Sequence, residues 1–204
     1  MKKFFVSLAI LAISAVSFAQ PISDRAVVPV AVSLNQILRL QILYGGNVEF
    51  VFADLNDYKA GITGTRFTTR FSVASSTDWD LRMYASSASF VGNNTGSEIN
   101  LSWVGYSISN AGTYTFGVGN NLTASAGSQA AVVPIDADAA TAKIACLSAG
   151  SCAGDGADNQ FEIFWRAGTG EGTMIQSSFI SNDQSINPDR YYTNIYFDLL
   201  TSGL

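Results

Sequence analysis

The sequence predicts an all-β protein, an antiparallel β-sandwich behind an export signal, and three observations lead there. Short segments alternate apolar and polar residues with a period of two, as in RFTTRFSV over residues 66–73. Gly, Asn and Ser separate these segments at short intervals, the punctuation of a many-stranded sandwich. Beyond the first 19 residues a helical period is nearly absent.

The chain of 204 residues opens with Lys2 and Lys3, an apolar stretch over residues 4–16, and Ser17, Phe18 and Ala19 before Gln20 and Pro21. Charged, apolar and small residues in that order form a secretory signal peptide. The stretch is too short to span a bilayer, which takes about 20 apolar residues as a helix. Cleavage is expected after Ala19, giving a signal peptide over residues 1–19 and a single β-sandwich domain over residues 20–204. No later segment reads as a transmembrane helix. The expected destination is the periplasm, the outer-membrane surface or the extracellular medium.

The residues after the signal alternate as well: Ala26, Val28, Val30, Val32 and Leu34 fall on one side, and Val27, Pro29, Ala31 and Ser33 on the other. Such a segment suits the first strand of its own sandwich, the preferred reading. Equally, Val28, Val30, Val32 and Leu34 form a possible donor strand that completes a neighbour's sheet through main-chain hydrogen bonds. Residues 36–52 read as two strands around Gly45-Gly46-Asn47, a pair of glycines permitting the positive φ angles of a tight hairpin. The following DLNDYKAG fits one helical turn or an irregular loop.

Residues 66–73 place Phe67, Thr69, Phe71 and Val73 inward, and Arg66, Thr68, Arg70 and Ser72 outward. After the turn-like SSTD, WDLRMYA sets Trp79, Leu81 and Met83 against Asp80, Arg82 and Tyr84, and is expected to pair with the preceding strand as a hairpin. Further strands are expected over residues 100–109, 113–118, 129–135, 161–166 and 190–200. Over residues 117–160 the composition turns to Ala, Gly and Ser, which predicts an irregular insertion carrying a cysteine loop, with too few large apolar side chains for a core of its own. The final strand divides Tyr191, Thr193, Ile195, Phe197 and Leu199 inward from Tyr192, Asn194, Tyr196 and Asp198 outward.

FSVASSTDWDLRMYASS and INPDRYYTNIYFDLLTS resemble the strand–turn–Trp-strand unit and the closing strand of exported bacterial sandwich proteins of the spore-coat-protein-U-like and fimbrial-subunit-like kind. FEIFWRAGTGEGTM is similar to a pattern in small secreted proteins of Bacteroidota. The resemblance implies an immunoglobulin-like, pilin-like sandwich and a surface or fimbria-like role, and it transfers no active-site residue.

Charge and composition exclude several functions. Asp and Glu number 16 against 11 Lys and Arg, a net charge of -5 that becomes more negative when Lys2 and Lys3 leave with the signal. Nucleic acid is therefore not an expected partner, because binding it rests on a basic surface. The chain has no histidine, which removes the base that a serine triad borrows. Cys146 and Cys152 are expected to form a disulfide that pins a loop, since an exported pair so close together is more often bridged than metal-bound.

Glu49, Glu162 and Glu171 are carboxylates of the type glycoside hydrolysis uses, although outward-facing strand residues explain them as well. Asp155, Asp158 and Asn159 in GDGADNQ offer oxygen ligands of the sort calcium prefers, yet Asp and Asn beside Gly are ordinary turn residues, so no metal and no cofactor is expected. The Tyr192, Asn194, Tyr196 and Asp198 row is a possible ligand or partner face, with cover by a second layer as the preferred alternative. The function expected is non-catalytic: a cell-envelope or secreted structural subunit whose partners are protein subunits or cell-surface components. A carbohydrate-binding module or adhesin is the alternative.

Overall fold

The computed structural model describes residues 25–26, 28–94, 96–113, 133–134, 143–145, 152–172, 174–175, 179 and 186–201. Contacts divide the chain into two units, Met1–Leu34 and Asn35–Leu204. In the first unit the described residues form neither helix nor strand, so the expected first strand of a self-contained sandwich is not there. The apolar side chains of Val28, Val30, Val32 and Leu34 are 79–91% exposed.

The second unit is all-β, and every strand pairing in it is antiparallel. In chain order, the described strands are β1 (Leu38–Tyr44), β2 (Thr68–Ser75), β3 (Trp79–Ala85), β4 (Ser89–Gly92), β5 (Glu98–Asn100), β6 (Val104–Asn110), β7 (Val133–Pro134), β8 (Lys143–Ala145), β9 (Gln160–Ala167), β10 (Tyr191–Tyr192) and β11 (Ile195–Thr201). They assemble as a five-stranded sheet in the order β1-β2-β9-β6-β7 and two three-stranded sheets, β10-β4-β5 and β11-β3-β8. One helix, α1 (Leu55–Ala60), and a 3-10 turn (Leu101–Trp103) complete the described elements.

Alternation on β3 is as the sequence predicts. On β3 the side chains of Trp79, Leu81 and Met83 are buried while Asp80, Arg82 and Tyr84 are half-exposed. On β9 Phe161, Ile163, Trp165 and Ala167 are buried in the same rhythm. These join Phe71 and Val73 of β2 and Tyr106 and Ile108 of β6 in one core. Each such large side chain contributes about 1.5–3 kcal/mol when taken fully out of water. Rings connect the five-stranded sheet to that of β3: Phe71 lies 5.9 Å from Phe197, and Trp79 lies 6.0 Å from Phe161. Two buried indole N–H groups are satisfied, Trp165 donating to Thr69 Oγ1 at 2.8 Å and Trp79 to the Cys152 carbonyl at 2.8 Å.

Several pairings differ from the sequence expectation. β2 and β3 do not form a hairpin, because β2 is flanked by β1 and β9 while β3 lies between β11 and β8. The turn between them carries the chain from one sheet to another, with Ser75 Oγ donating to the Thr77 carbonyl at 2.5 Å and accepting from the Thr77 N–H. Thr68 and Ser72, expected outward on β2, are buried. Thr68 turns its hydroxyl onto the Thr65 carbonyl at 2.7 Å, and Gly156 sits close against Ser72.

Nor do residues 36–52 form a hairpin. β1 pairs with β2, and residues 45–53 form no strand. Gly45 is needed for a different reason: its φ is +70°, and a Cβ there would lie 1.9 Å from the Thr68 carbonyl oxygen. Val48, Phe50 and Phe52 still pack on the core alternately, because ring contacts hold them in place of a ladder, Phe50 on Phe67 at 4.4 Å and Phe52 on Tyr58 at 5.3 Å.

DLNDYKAG becomes α1, closed at its start by a capping box in which Asp54 Oδ1 accepts from the Asn56 and Asp57 N–H groups and Asp57 reaches back to the Asp54 N–H. The strand expected over residues 100–109 is broken by the 3-10 turn, where Asn100 Oδ1 accepts from the Ser102 N–H at 2.8 Å. The strand expected over residues 190–200 is split into β10, on β4, and β11, on β3. Most of residues 117–160, Cys146 included, lies outside the described residues, as do residues 1–19, expected as a signal peptide, and residues 114–118. Among the described residues no helix is long and apolar enough to cross a membrane.

Candidate functional site

The outward row foreseen on the last strand is divided between two sheets. Tyr192 lies on β10 opposite Val91 of β4, whereas Tyr196 and Asp198 lie on β11 opposite Tyr84 and Arg82 of β3. Asn194 sits in the gap, where its main chain exchanges bonds with Ser86: the Ser86 N–H donates to the Asn194 carbonyl at 2.8 Å and the Asn194 N–H to Ser86 Oγ at 3.2 Å. Both tyrosines are open to solvent, Tyr192 at 55% and Tyr196 at 47% exposure.

What replaces the single-strand row is a two-strand constellation on the outer face of β3 and β11. The rings of Tyr84 and Tyr196 are 5.5 Å apart and tilted by 49°. The Tyr84 hydroxyl donates to Asp198 Oδ2 at 2.7 Å, crossing diagonally to the next outward position on the neighbouring strand. That bond is the first cause holding the Tyr84 phenol above its ordinary pKa, with desolvation and the negative charge of Asp198 adding to it. Sequence reasoning placed Tyr84 and Arg82 outward but assigned them no part in the site, because nothing local signals that β3 pairs with β11.

A second outward cluster lies on the five-stranded sheet. Tyr44 of β1 donates its hydroxyl to Glu162 Oε1 of β9 at 2.7 Å, and Arg70 of β2, between them, approaches the same oxygen at 3.3 Å. The bond to Glu162 raises the Tyr44 pKa, with smaller contributions from desolvation and from the Glu162 charge, opposed by Arg70. The remaining glutamates pair elsewhere, Glu49 with Arg190 at 3.2 Å and Glu171 with Arg166. The three carboxylates thus face three different arginines in three different places. A shallow cleft of about 250 Å³ adjoins Glu49, lined by Asn47, Val48, Val51, Arg66 and Phe67.

The Asp155, Asp158 and Asn159 oxygens do not converge. Asp155 Oδ1 accepts from the N–H groups of Ala157 at 2.7 Å and Asp158 at 3.0 Å, which lowers its pKa and closes a turn. Asp158 Oδ1 accepts from Thr113 Oγ1 at 2.7 Å, and Asn159 is buried with its amide donating to the Cys152 carbonyl. Among the described residues no group of three or more His, Cys, Asp or Glu is placed to hold a metal ion.

A third feature is the edge where β1 and β11 lie alongside each other. Each is the last strand of its sheet among the described residues. Their core-facing side chains, Leu38 and Leu40 of β1 and Ile195, Phe197 and Leu199 of β11, are only half-buried. The core positions of the inner strands β2, β3 and β9 are closed. No family model matches the chain, and no curated protein matches it.

Proposed function

We propose that the chain is a non-catalytic exported subunit of a cell-envelope or secreted assembly, fimbria-like in that extended residues 28–34 of one copy complete the β1/β11 edge of the next. In this reading the five-stranded sheet and the β11-β3-β8 sheet are the leaves of an immunoglobulin-like sandwich, supported by the Phe71–Phe197 and Trp79–Phe161 ring contacts between them. The signal-like start and the resemblance to fimbrial-subunit-like proteins support export and a surface role. The lack of histidine and the scattered glutamates support a role without catalysis.

The observation that carries the reading is the half-burial of Leu38, Leu40, Ile195, Phe197 and Leu199 at an edge whose strands each have one ladder partner among the described residues. An added strand with apolar residues at every second position would bury them. Val28, Val30, Val32 and Leu34 have that spacing and stand 79–91% exposed. Backbone groups alternate sides along an extended strand, so those of Val28, Val30, Val32 and Leu34 point one way and those of Pro29 the other. In the register where Val28, Val30, Val32 and Leu34 bond the joined edge, the donor that proline lacks removes no rung. Main-chain bonds supply affinity in strand addition, and the alternate side chains supply specificity.

The test is the size of the purified chain across a concentration series, with three comparisons. The full chain is expected to form a ladder of oligomers. Deletion of residues 25–34 is expected to give a monomer that takes up a synthetic peptide of that segment, and Val30→Asp in the peptide is expected to abolish uptake. A full chain that stays monomeric at high concentration, with no peptide uptake by the deletion variant, ends the proposal.

A further inference from the structure

The outer face of β3 and β11 has an order that core packing does not require. Along β3 the outward positions are Asp80, Arg82 and Tyr84, and along β11 they are Tyr196, Asp198 and Leu200, each opposite its partner in the ladder. Reading across the rungs gives an aromatic pair, then an arginine facing an aspartate, then an aspartate facing a leucine. Same-face neighbours along a strand are roughly 6–7 Å apart, so aromatic ring, guanidinium and carboxylate all lie within reach of one small cyclic ligand.

The Tyr84 ring is held before any ligand arrives, because its hydroxyl is bonded to Asp198 Oδ2 at 2.7 Å and the ring lies 5.5 Å from that of Tyr196, tilted by 49°. Fixing a contact ring in advance lowers the ordering cost of binding. Asp198 is exposed, and a carboxylate held on one oxygen keeps acceptor capacity on both.

We propose that this face binds a neutral glycan, the Tyr84–Tyr196 pair stacking on the apolar C–H face of a sugar ring while Asp198 and Arg82 take its hydroxyls. The occupant follows from the chemistry of the strip. An aromatic ring presents an apolar body beside a polar tip, which matches a sugar's C–H face and hydroxyl rim. A protein partner fits less well, because the centre of the strip is charged and interface centres are depleted of charge. Asp198, exposed on a chain of net charge -5, disfavours nucleic acid and acidic glycans. The inference stands apart from the assembly reading, which uses the β1/β11 edge and the inner side chains of β11, whereas the glycan face uses the outer ones.

Affinity gel electrophoresis of the purified chain tests it, with soluble β-glucan, xylan and galactomannan cast into the gels as probes. At least one polysaccharide is expected to retard the protein. Tyr196→Ala, at an exposed position, is expected to weaken that retardation about tenfold, the equivalent of ~1.4 kcal/mol. Tyr84→Phe keeps the ring and loses its anchor, so a smaller loss is expected. Tyr192→Ala, on the other small sheet, is expected to leave retardation unchanged, and unfolding midpoints of all three variants verify that they fold. The proposal is overturned if no probe retards the wild-type chain, or if Tyr196→Ala and Tyr192→Ala migrate alike. Neither result bears on oligomer size, so failure here and failure of the assembly reading are distinguishable.

Discussion

The indole N–H of Trp79 donates to the carbonyl oxygen of Cys152 at 2.8 Å, and both residues are buried to within 1%. The same carbonyl accepts from the Asn159 amide at 3.3 Å, while the Cys152 N–H donates to Asp78 Oδ1 at 2.7 Å. The first residue of β3 and the segment leading to β9 are thus tied through the main chain of a single residue, Cys152.

Trp79→Phe is expected to destabilise the fold by about 1–3 kcal/mol, because it removes one donor from a buried carbonyl and leaves volume unfilled. Urea denaturation followed by tryptophan fluorescence measures it, the remaining indoles of Trp103 and Trp165 serving as probes. An unchanged midpoint would show that the Asn159 amide alone satisfies the Cys152 carbonyl.

Gly45→Ala and Gly96→Ala separate two costs of losing a glycine. Both positions have positive φ, but a Cβ at Gly96 meets nothing within 4 Å, whereas one at Gly45 meets the Thr68 carbonyl oxygen at 1.9 Å. Gly96→Ala is expected to cost about 1–2 kcal/mol, the left-handed conformation alone. Gly45→Ala is expected to cost more, since β1 must also move off β2. Equal midpoint shifts for the two variants contradict that order.

The alternation of β3, β9 and β11 was legible in the sequence because it is local: each residue's side is set by its neighbours two positions away. Pairing is not local. Gly45-Gly46 reads as a hairpin by turn chemistry, yet Leu40 faces Val73 and Ile42 faces Phe71, and no feature of residues 38–44 names those partners. The same limit hid the candidate face. Tyr196 and Asp198 were visible as an outward pair, whereas Tyr84 joins them only because β3 and β11 are adjacent, and Tyr192 leaves them because two residues without a ladder separate β10 from β11.

Tyr84 is expected to ionise above a free tyrosine. Its folded pKa is raised, mainly by the bond to Asp198, so the protonated phenol is favoured in the folded state. Its contribution to stability is therefore fully present below the unfolded value of about 10 and is lost as pH rises through the folded one. Phenolate absorbance of wild type and Tyr84→Phe checks this: the variant should lack a late-titrating group, and Asp198→Asn should bring that group's titration earlier.

Asp155 runs the other way. Backbone N–H groups of Asp158 and Ala157 lower its pKa, so its contribution is present above the unfolded value of about 4 and fades as pH falls through the folded one. In Asp155→Ala the acid-side decline of the unfolding midpoint is expected to be shallower than in wild type. An identical acid limb in both proteins would remove Asp155 from the pH dependence.

The Cys146–Cys152 bridge expected from the sequence predicts a reductant-dependent difference. Cys146→Ser is expected to lower stability by on the order of 2 kcal/mol, the loop-closure value for so short a ring, in oxidising buffer only. With reductant the two proteins should coincide. If they already coincide without it, the bridge is not formed.

The side-chain bond between β3 and β11 joins Tyr84 and Asp198, 114 positions apart. A polypeptide made from its N-terminal end presents Trp79–Ala85 long before Ile195–Thr201 follows. Until then the middle strand of that sheet has no neighbour along one flank, and loop-closure entropy weighs against docking it early. The topology thereby places the closing of this sheet late in folding, after most of the intervening chain is available to it.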